Sequence, residues 1–158
     1  MGEILQKLSS YNIFNYLLPG IVFVVLLKWC ANINLIVDEV LLGMFLYYFV
    51  GMVISRIGSI LIEPLLRCTK IIQFSDYPRF VRASKLDNKI ELLSEVNNTY
   101  RTIISMIIVL IVVLICIKSA ACHLMIALGG SLLLFVLSYR KQTSFITQRV
   151  DEALRGVS

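Results

Sequence analysis

The side chains best suited to chemistry in this chain are three carboxylates spaced four residues apart, Asp87, Glu91 and Glu95. Four-residue spacing places side chains on one face of a helix, so the pattern predicts an acidic stripe. Carboxylate pairs can act as general acid and base, but nothing beside these residues would activate a nucleophile. Because like charges at this spacing also repel mildly, we interpret the stripe as a solvated or partner-binding face.

A basic neighbour would relieve this repulsion, and Arg67, Arg79 and Arg82 are the candidates, from the same chain or from another. The cytoplasmic partner-binding residues predicted on this basis are Arg79, Arg82, Asp87, Glu91 and Glu95.

Signals for catalysis or bound metal are weak elsewhere in the chain. The single histidine, His123, and the cysteines Cys30, Cys68, Cys116 and Cys122 lack the spacings that zinc ligands show. There is no G-x-S-x-G, no Gly-rich phosphate loop and no HExxH. The sequence therefore predicts neither an enzyme nor a cofactor-binding or metal-binding protein.

Composition indicates where these residues reside. The chain has 158 residues, of which 58% are hydrophobic and 16% charged, and its mean hydropathy is +0.84. An average soluble domain is roughly 45–50% apolar and about 25% charged. A globule this small has too little interior to bury so much apolar surface, so the composition predicts an all-α integral membrane protein and excludes a disordered chain.

Four apolar segments predict four transmembrane helices, over residues 11–27, 40–62, 103–117 and 120–137. A helix needs about 20 apolar residues to cross a hydrocarbon core of about 30 Å, so the first and third segments borrow flanking residues. Between the last two spans, residues 118–123 suffice only for a turn, which predicts a tight antiparallel pair.

The distribution of basic residues predicts the orientation. Of the 15 Lys and Arg residues, 13 lie on one side, in the amino-terminal segment, the middle loop and the tail, with Arg56 and Arg101 at the adjoining ends of spans two and three counted to the loop. Only Lys28 and Lys118 lie on the opposite side. Membrane proteins concentrate Lys and Arg in cytoplasmic segments, so both termini and the middle loop are predicted to be cytoplasmic. The same rule accounts for the net charge of +5, and no nucleic acid binding is expected. The phospholipid bilayer is the expected partner of these basic residues.

The middle loop, residues 63–100, predicts a cytoplasmic helical hairpin that extends spans two and three. No Pro or Gly separates Lys85 from Ile117, which predicts one continuous helix of about 33 residues. Asn97 either sets the register between helices or marks the membrane boundary. It belongs to a stripe with helical spacing, formed by Leu86, Ile90, Leu93, Asn97 and Tyr100.

Small residues recur along span two, where Gly43, Gly51, Ser55 and Gly58 trace one side, and Gly130 marks a weaker face in span four. Small residues let helices approach closely in lipid. These residues predict packing or oligomerisation interfaces, within the chain or between subunits, and we expect a homo-oligomer, with a tetramer favoured.

Arg56, near the inner end of span two, is the charge most deeply placed in a span. It is expected to snorkel to the headgroups, or else to line a pore or pair with Glu63. Asn12 and Asn15 give span one a polar inner half, which a pore could also use.

Three segments carry a resemblance to a known family, Tyr11–Gly20, Asp76–Pro78 and Lys89–Arg101. With its size and four spans, the chain resembles the small four-helix membrane proteins of bacterial anti-phage defence systems, the membrane component of the Kiwa system being the nearest. The resemblance implies an inner-membrane homo-oligomer that works with a cytoplasmic protein, but it supplies no individual functional residues. The membrane-spanning effectors of cyclic-nucleotide defence systems share the same outline.

Two hypotheses about function follow from the sequence. The first is a membrane scaffold or sensor of an antiviral defence system, which recruits a cytoplasmic effector through the hairpin of residues 63–100. The alternative is a pore-forming effector that depolarises the cell when activated, although no span has a clear polar lining.

Overall fold

The computed structural model describes residues 13–118 and 121–156, with only the backbone of Phe14, and every regular element in this part of the chain is a helix. The starts of the first and fourth predicted spans, at residues 11–12 and 120, lie outside the described residues. The elements in chain order are π1 (Ile13–Leu17), α1 (Leu18–Ala31), α2 (Val40–Ile57), π2 (Gly58–Ile62), α3 (Glu63–Cys68), α4 (Tyr77–Leu86), α5 (Lys89–Cys116) and α6 (Cys122–Arg155).

Three helical stretches are long and apolar enough to cross a membrane, Val40–Cys68, Lys89–Cys116 and Cys122–Arg155. The first of these joins α2, π2 and α3 without a break. A fourth apolar helix, Asn15–Ala31, is shorter. The all-helical class is therefore confirmed, with three helices that could cross a membrane, whereas the four-span topology stays a prediction.

The first apolar helix crosses α2 with its backbone in contact. A Cβ atom added to Gly20 would overlap the carbonyl oxygen of Tyr47, and one added to Gly51 would overlap the carbonyl oxygen of Tyr16. Only glycine leaves room for two backbones at this separation. The small residues of span two at this crossing therefore pack within the chain.

Helix α2 continues into the π-helical turn π2, directly before Pro64 in the first turn of α3. Proline has no N–H to donate to the carbonyl four residues back, so the helix widens or bends at this position. A Cβ added to Gly58, the first residue of π2, would overlap the Ser105 hydroxyl. The turn thus brings α3 against α5.

Helix α5 is the centre of the membrane part. Its residues Ile107, Leu110 and Leu114 are buried against Leu27 of α1 and Ile54 of α2. The outward faces of α2 and α6 are apolar and exposed, as expected for helix surfaces that contact lipid.

The predicted continuous helix from Lys85 is wrong at its amino-terminal end, because α4 ends at Leu86 and α5 begins at Lys89. Asp87 between them is extended, with φ −140°. Its Oδ1 accepts the backbone N–H of Lys89 at 3.0 Å. Aspartate side chains compete in this way with helical hydrogen bonds, so they can interrupt a helix without Pro or Gly.

The carboxyl-terminal tail is a helix, since α6 continues 18 residues beyond the predicted span end at 137 to Arg155. The predicted two-armed hairpin is not confirmed, because α4 and the first turns of α5 both pack on this extension and form a three-helix bundle. Asn97 of α5 accepts a hydrogen bond of 3.2 Å from Thr143 of α6, which favours its interpretation as a register residue. The buried stripe of α6 in the bundle is Tyr139, Thr143, Ile146 and Val150.

The glycine crossing gives a direct test of this packing. We expect Gly51→Ala to lower the free energy of unfolding by about 1–3 kcal/mol, since the methyl group must displace the backbone of π1. Gly130→Ala is the matched control, because nothing lies within 4 Å of the Cβ it would add. Thermal unfolding in detergent measures both variants, and equal stabilities for the two would contradict the crossing.

Candidate functional site

Polar side chains from three elements meet inside the membrane part of the chain. The Thr102 hydroxyl of α5 lies 2.9 Å from Oδ1 of Asn15 in π1 and 3.1 Å from the Ser55 hydroxyl of α2. All three residues are buried. A polar group without a partner is costly in hydrocarbon, so this cluster holds the three elements in one arrangement.

The neighbouring residue on α5, Arg101, forms a largely buried ion pair with Glu63 of α3. Arg101 Nη1 lies 2.6 Å from Glu63 Oε2, and the other carboxylate oxygen accepts from Arg67 at 2.6 Å. One carboxylate thus serves two guanidinium groups, which leaves a net positive charge at this junction. Arg67 therefore pairs here rather than with the acidic stripe of its own chain, and a pairing between chains stays a prediction.

The three-helix bundle has a small apolar core of Ala83, Ile90, Ile146 and Val150. Two ion pairs close its rim. Arg79 of α4 lies 2.9 Å from Asp151 of α6, and Arg149 of α6 lies 2.5 Å from Asp87, at the break between α4 and α5. These pairs fix α4 against the tail helix.

The structure distributes the five predicted partner-binding residues between two environments. Arg79 and Asp87 are used in the ion pairs with α6, so they hold the bundle together. Arg82 and Glu91 are exposed and Glu95 is half-buried, and none of these three has an ion pair among the described residues. The five residues do not form one charge cluster.

The predicted packing residues also differ in their surroundings. Gly51, Ser55 and Gly58 face other helices of the same chain. Gly43 contacts the ring of Tyr47 on its own helix, and Gly130 faces open space. Oligomerisation through any of these positions stays a prediction.

Arg56 is exposed on the outer side of α2. Glu63 is occupied by Arg67 and Arg101, so the predicted Arg56–Glu63 pair is wrong. Arg56 borders a shallow groove of about 390 Å³ on the surface of one helix, a position that favours snorkelling over pore lining. The other residues of this groove are apolar: Met52, Val53, Ile57, Ile60 and Leu61.

A larger cavity, which the sequence did not indicate, lies where the segment between α3 and α4 meets α5 and α6. Its volume is about 840 Å³, and its lining includes Arg67, Phe74, Ser75, Tyr77 and Phe80. We call it the aromatic cleft. The Arg67 guanidinium stacks 4.3 Å from the centre of the Phe74 ring. The Ser75 hydroxyl is buried without a hydrogen-bond partner in the described part of the chain.

The aromatic cleft combines ring faces, a guanidinium and an unsatisfied hydroxyl. Tyr77, at the start of α4, has 78% of its surface exposed although it is aromatic. Aromatic residues and arginine are enriched where proteins bind one another. The sequence signal was the spacing of three between Phe74, Tyr77 and Phe80, which is visible only once α4 is known to begin at Tyr77.

Searches with family models, among curated proteins and among solved structures found no match to this chain. The resemblance to anti-phage membrane proteins therefore stays a prediction. Across residues 13–118 and 121–156, no three His, Cys, Asp or Glu side chains lie close enough to hold a metal ion.

The Arg149–Asp87 pair predicts how the bundle responds to acid. The hydrogen bond from Arg149, followed by the N–H of Lys89, lowers the pKa of Asp87 below its ordinary value of 3.8. A carboxyl whose pKa is lowered by folding stabilises the fold above its unfolded pKa and loses that contribution as pH falls through the lowered pKa. We expect the melting temperature to fall below about pH 4.

Asp87→Asn should remove part of this acid sensitivity and lower stability at neutral pH. Melting curves of the purified chain between about pH 6 and about pH 3 measure both effects. Asp151→Asn, which breaks the more exposed pair with Arg79, is the control and should change the pH profile less. Identical profiles for the wild type and Asp87→Asn would contradict the assignment.

Proposed function

We propose that this chain is a membrane-anchored scaffold subunit whose cytoplasmic bundle binds a soluble protein partner. The observation that carries this proposal is the aromatic cleft, which is formed by elements that continue directly from the membrane helices. Residues 63–100, where the sequence predicted partner binding, supply most of its lining. The most suitable contact residues within that range are Phe74, Tyr77 and Phe80.

The chemistry of the aromatic cleft suits a protein side chain better than a lipid tail. Its lining mixes aromatic rings with Arg67, Ser75 and Gln73. Binding energy at protein interfaces is concentrated in a few aromatic and arginine residues that lose water on contact. Tyr77 is available for such a contact in the folded chain, because most of its surface is exposed to solvent.

The ordered connection between spans and bundle supports a scaffold or sensor. Helices α5 and α6 pass from the membrane part into the bundle without interruption. A change in the packing of the spans therefore reaches the aromatic cleft through two rigid helices. We further propose a homo-oligomer in a bacterial inner membrane, with both termini cytoplasmic and a role in antiviral defence, as the basic residues and the resemblance suggest.

The pore alternative has one supporting observation, the polar cluster of Asn15, Ser55 and Thr102 inside the helix bundle. Its members bind one another and are buried, so they offer no wettable path in this arrangement. A conducting pore needs such a path. Opening one would require α5 to separate from both π1 and α2.

The scaffold is tested by purifying the full chain gently from its host membrane and weighing the intact assembly by native mass spectrometry. We expect a homo-oligomer that carries a soluble protein. Tyr77→Ala should reduce the bound protein by about tenfold or more, as for a central aromatic residue. Leu92→Ala, exposed on α5 away from the aromatic cleft, is the matched control and should retain it.

Two outcomes would count against the scaffold. Retention of the same protein by Tyr77→Ala and Leu92→Ala would move the docking site away from the aromatic cleft. A homo-oligomer without any bound protein, together with ion conductance in planar bilayers, would replace the scaffold by the pore.

A further inference from the structure

A second, smaller cavity lies along the segment that joins α3 to α4. Its volume is about 270 Å³, and it is lined by Lys70 and Gln73 of this segment and by Arg140, Ser144 and Gln148 of α6. The cavity is separate from the aromatic cleft, which shares only Gln73 with it. Ligand binding in this cavity is therefore independent of the proposed scaffold function.

The backbone holds Lys70 in an uncommon conformation beside this cavity. Lys70 has φ +57°, in the left-handed region that favours glycine. It follows the end of α3, where the N–H groups of Ile71 and Ile72 both return to the carbonyl of Leu66. This turn ends α3 and positions Lys70 beside the cavity.

One wall of the cavity is the segment that carries Lys70, and one face of helix α6 forms the other wall. Arg140, Ser144 and Gln148 follow one another at intervals of four residues, so their side chains lie on the same side of the helix. The hydroxyl of Thr147, on the same wall, donates to the carbonyl of Gln73 at 3.3 Å. That hydrogen bond ties the segment carrying Lys70 to α6 and gives the cavity two connected walls.

The charges around the cavity are unbalanced. Lys70 and Arg140 are exposed, neither forms an ion pair within the described residues, and no carboxylate is among the lining side chains. Two cations that share a small cavity repel each other unless an anion lies between them. The Ser144 hydroxyl and the Gln148 amide add neutral donors, so the whole set consists of groups that can donate to oxygen.

We propose that this cavity binds a phosphate group. Arginine binds phosphate oxygens in a two-pronged manner and lysine binds them as a point charge, which is the pair present here. The volume suits a phosphate with a few attached atoms and is too small for a folded partner. Two sources share this chemistry, the headgroup of an anionic phospholipid and a small soluble phosphate compound.

The level of the cavity relative to the membrane makes the lipid source accessible. Arg140 lies three residues beyond the predicted end of span four, which is about 4.5 Å along a helix. That distance places its guanidinium in the headgroup layer of the cytoplasmic leaflet. Gln148 lies about two helical turns farther from the membrane than Arg140, so the cavity also opens toward the cytoplasm.

The experiment compares two double variants of the full chain with the same loss of charge. Lys70→Gln with Arg140→Gln removes the two cations of the cavity, and Arg82→Gln with Lys85→Gln removes two exposed cations of α4 outside it. Phosphatidylglycerol is titrated into the detergent-solubilised protein and counted by native mass spectrometry. Inorganic phosphate is titrated in a second arm, with the protein in phosphatidylcholine nanodiscs, and followed by thermal shift.

We expect the cavity variant to weaken binding by about fivefold for each cation removed, and the α4 variant to bind as the wild type does. Saturable binding of phosphatidylglycerol alone identifies the lipid source. Binding of inorganic phosphate, with the same dependence on Lys70 and Arg140, identifies the soluble source.

Two results would overturn the proposal. One is that neither probe binds at a saturable site. The other is that both double variants lose binding equally, because the attraction would then come from the overall charge of the cytoplasmic face. All four substituted residues are exposed, so folding is preserved, and circular dichroism of each variant verifies this.

Discussion

The arrangement of this chain depends on the polar side of α5, between its apolar membrane part and the three-helix bundle. Within six residues of that helix, Asn97 accepts from Thr143, Arg101 binds Glu63, and Thr102 contacts Asn15 and Ser55. Each contact engages a different element, and each is sheltered from water, so none can be exchanged for a hydrogen bond to solvent. Losing Glu63 would leave the largely buried charge of Arg101 without its carboxylate, and an uncompensated buried charge typically costs about 3–5 kcal/mol.

The all-helical class could be predicted from the sequence because long apolar segments are stable in lipid only as helices, and hydropathy identifies such segments. The sequence predicted the central position of Asn97 among apolar residues for a similar reason, since helical spacing places that residue on a packed face. The predicted continuous helix was wrong at Asp87, whose side chain accepts the backbone N–H of Lys89. The same carboxylate also binds Arg149, 62 residues away, and the local sequence does not indicate that contact. The sequence prediction also left the tail without structure, although Tyr139, Thr143, Ile146 and Val150 repeat at helical intervals there.

The candidate sites were less predictable than the fold. The acidic stripe drew attention to Asp87, Glu91 and Glu95. Three of the four ion pairs in the described residues join residues at least 38 positions apart. Charge pattern alone cannot choose among so many possible partners. The aromatic cleft and the smaller cavity beside Lys70 both arise from the short segment between α3 and α4. Its course was not predictable, because it is fixed by a left-handed residue, Lys70, and by the hydrogen bond from Thr147 to a backbone carbonyl.

The unbroken length of α6 has a mechanical consequence. Its 34 residues extend for about 51 Å, and only the first half lies in the predicted span. In the proposed topology, the first half of α6 lies in lipid and its second half contributes to the walls of both cavities. A helix that is longer than the bilayer is thick can tilt, and a tilt of about 10° displaces the far end of a rod of this length by about 9 Å. In that topology, a change in membrane thickness would therefore change the width of the two cavities.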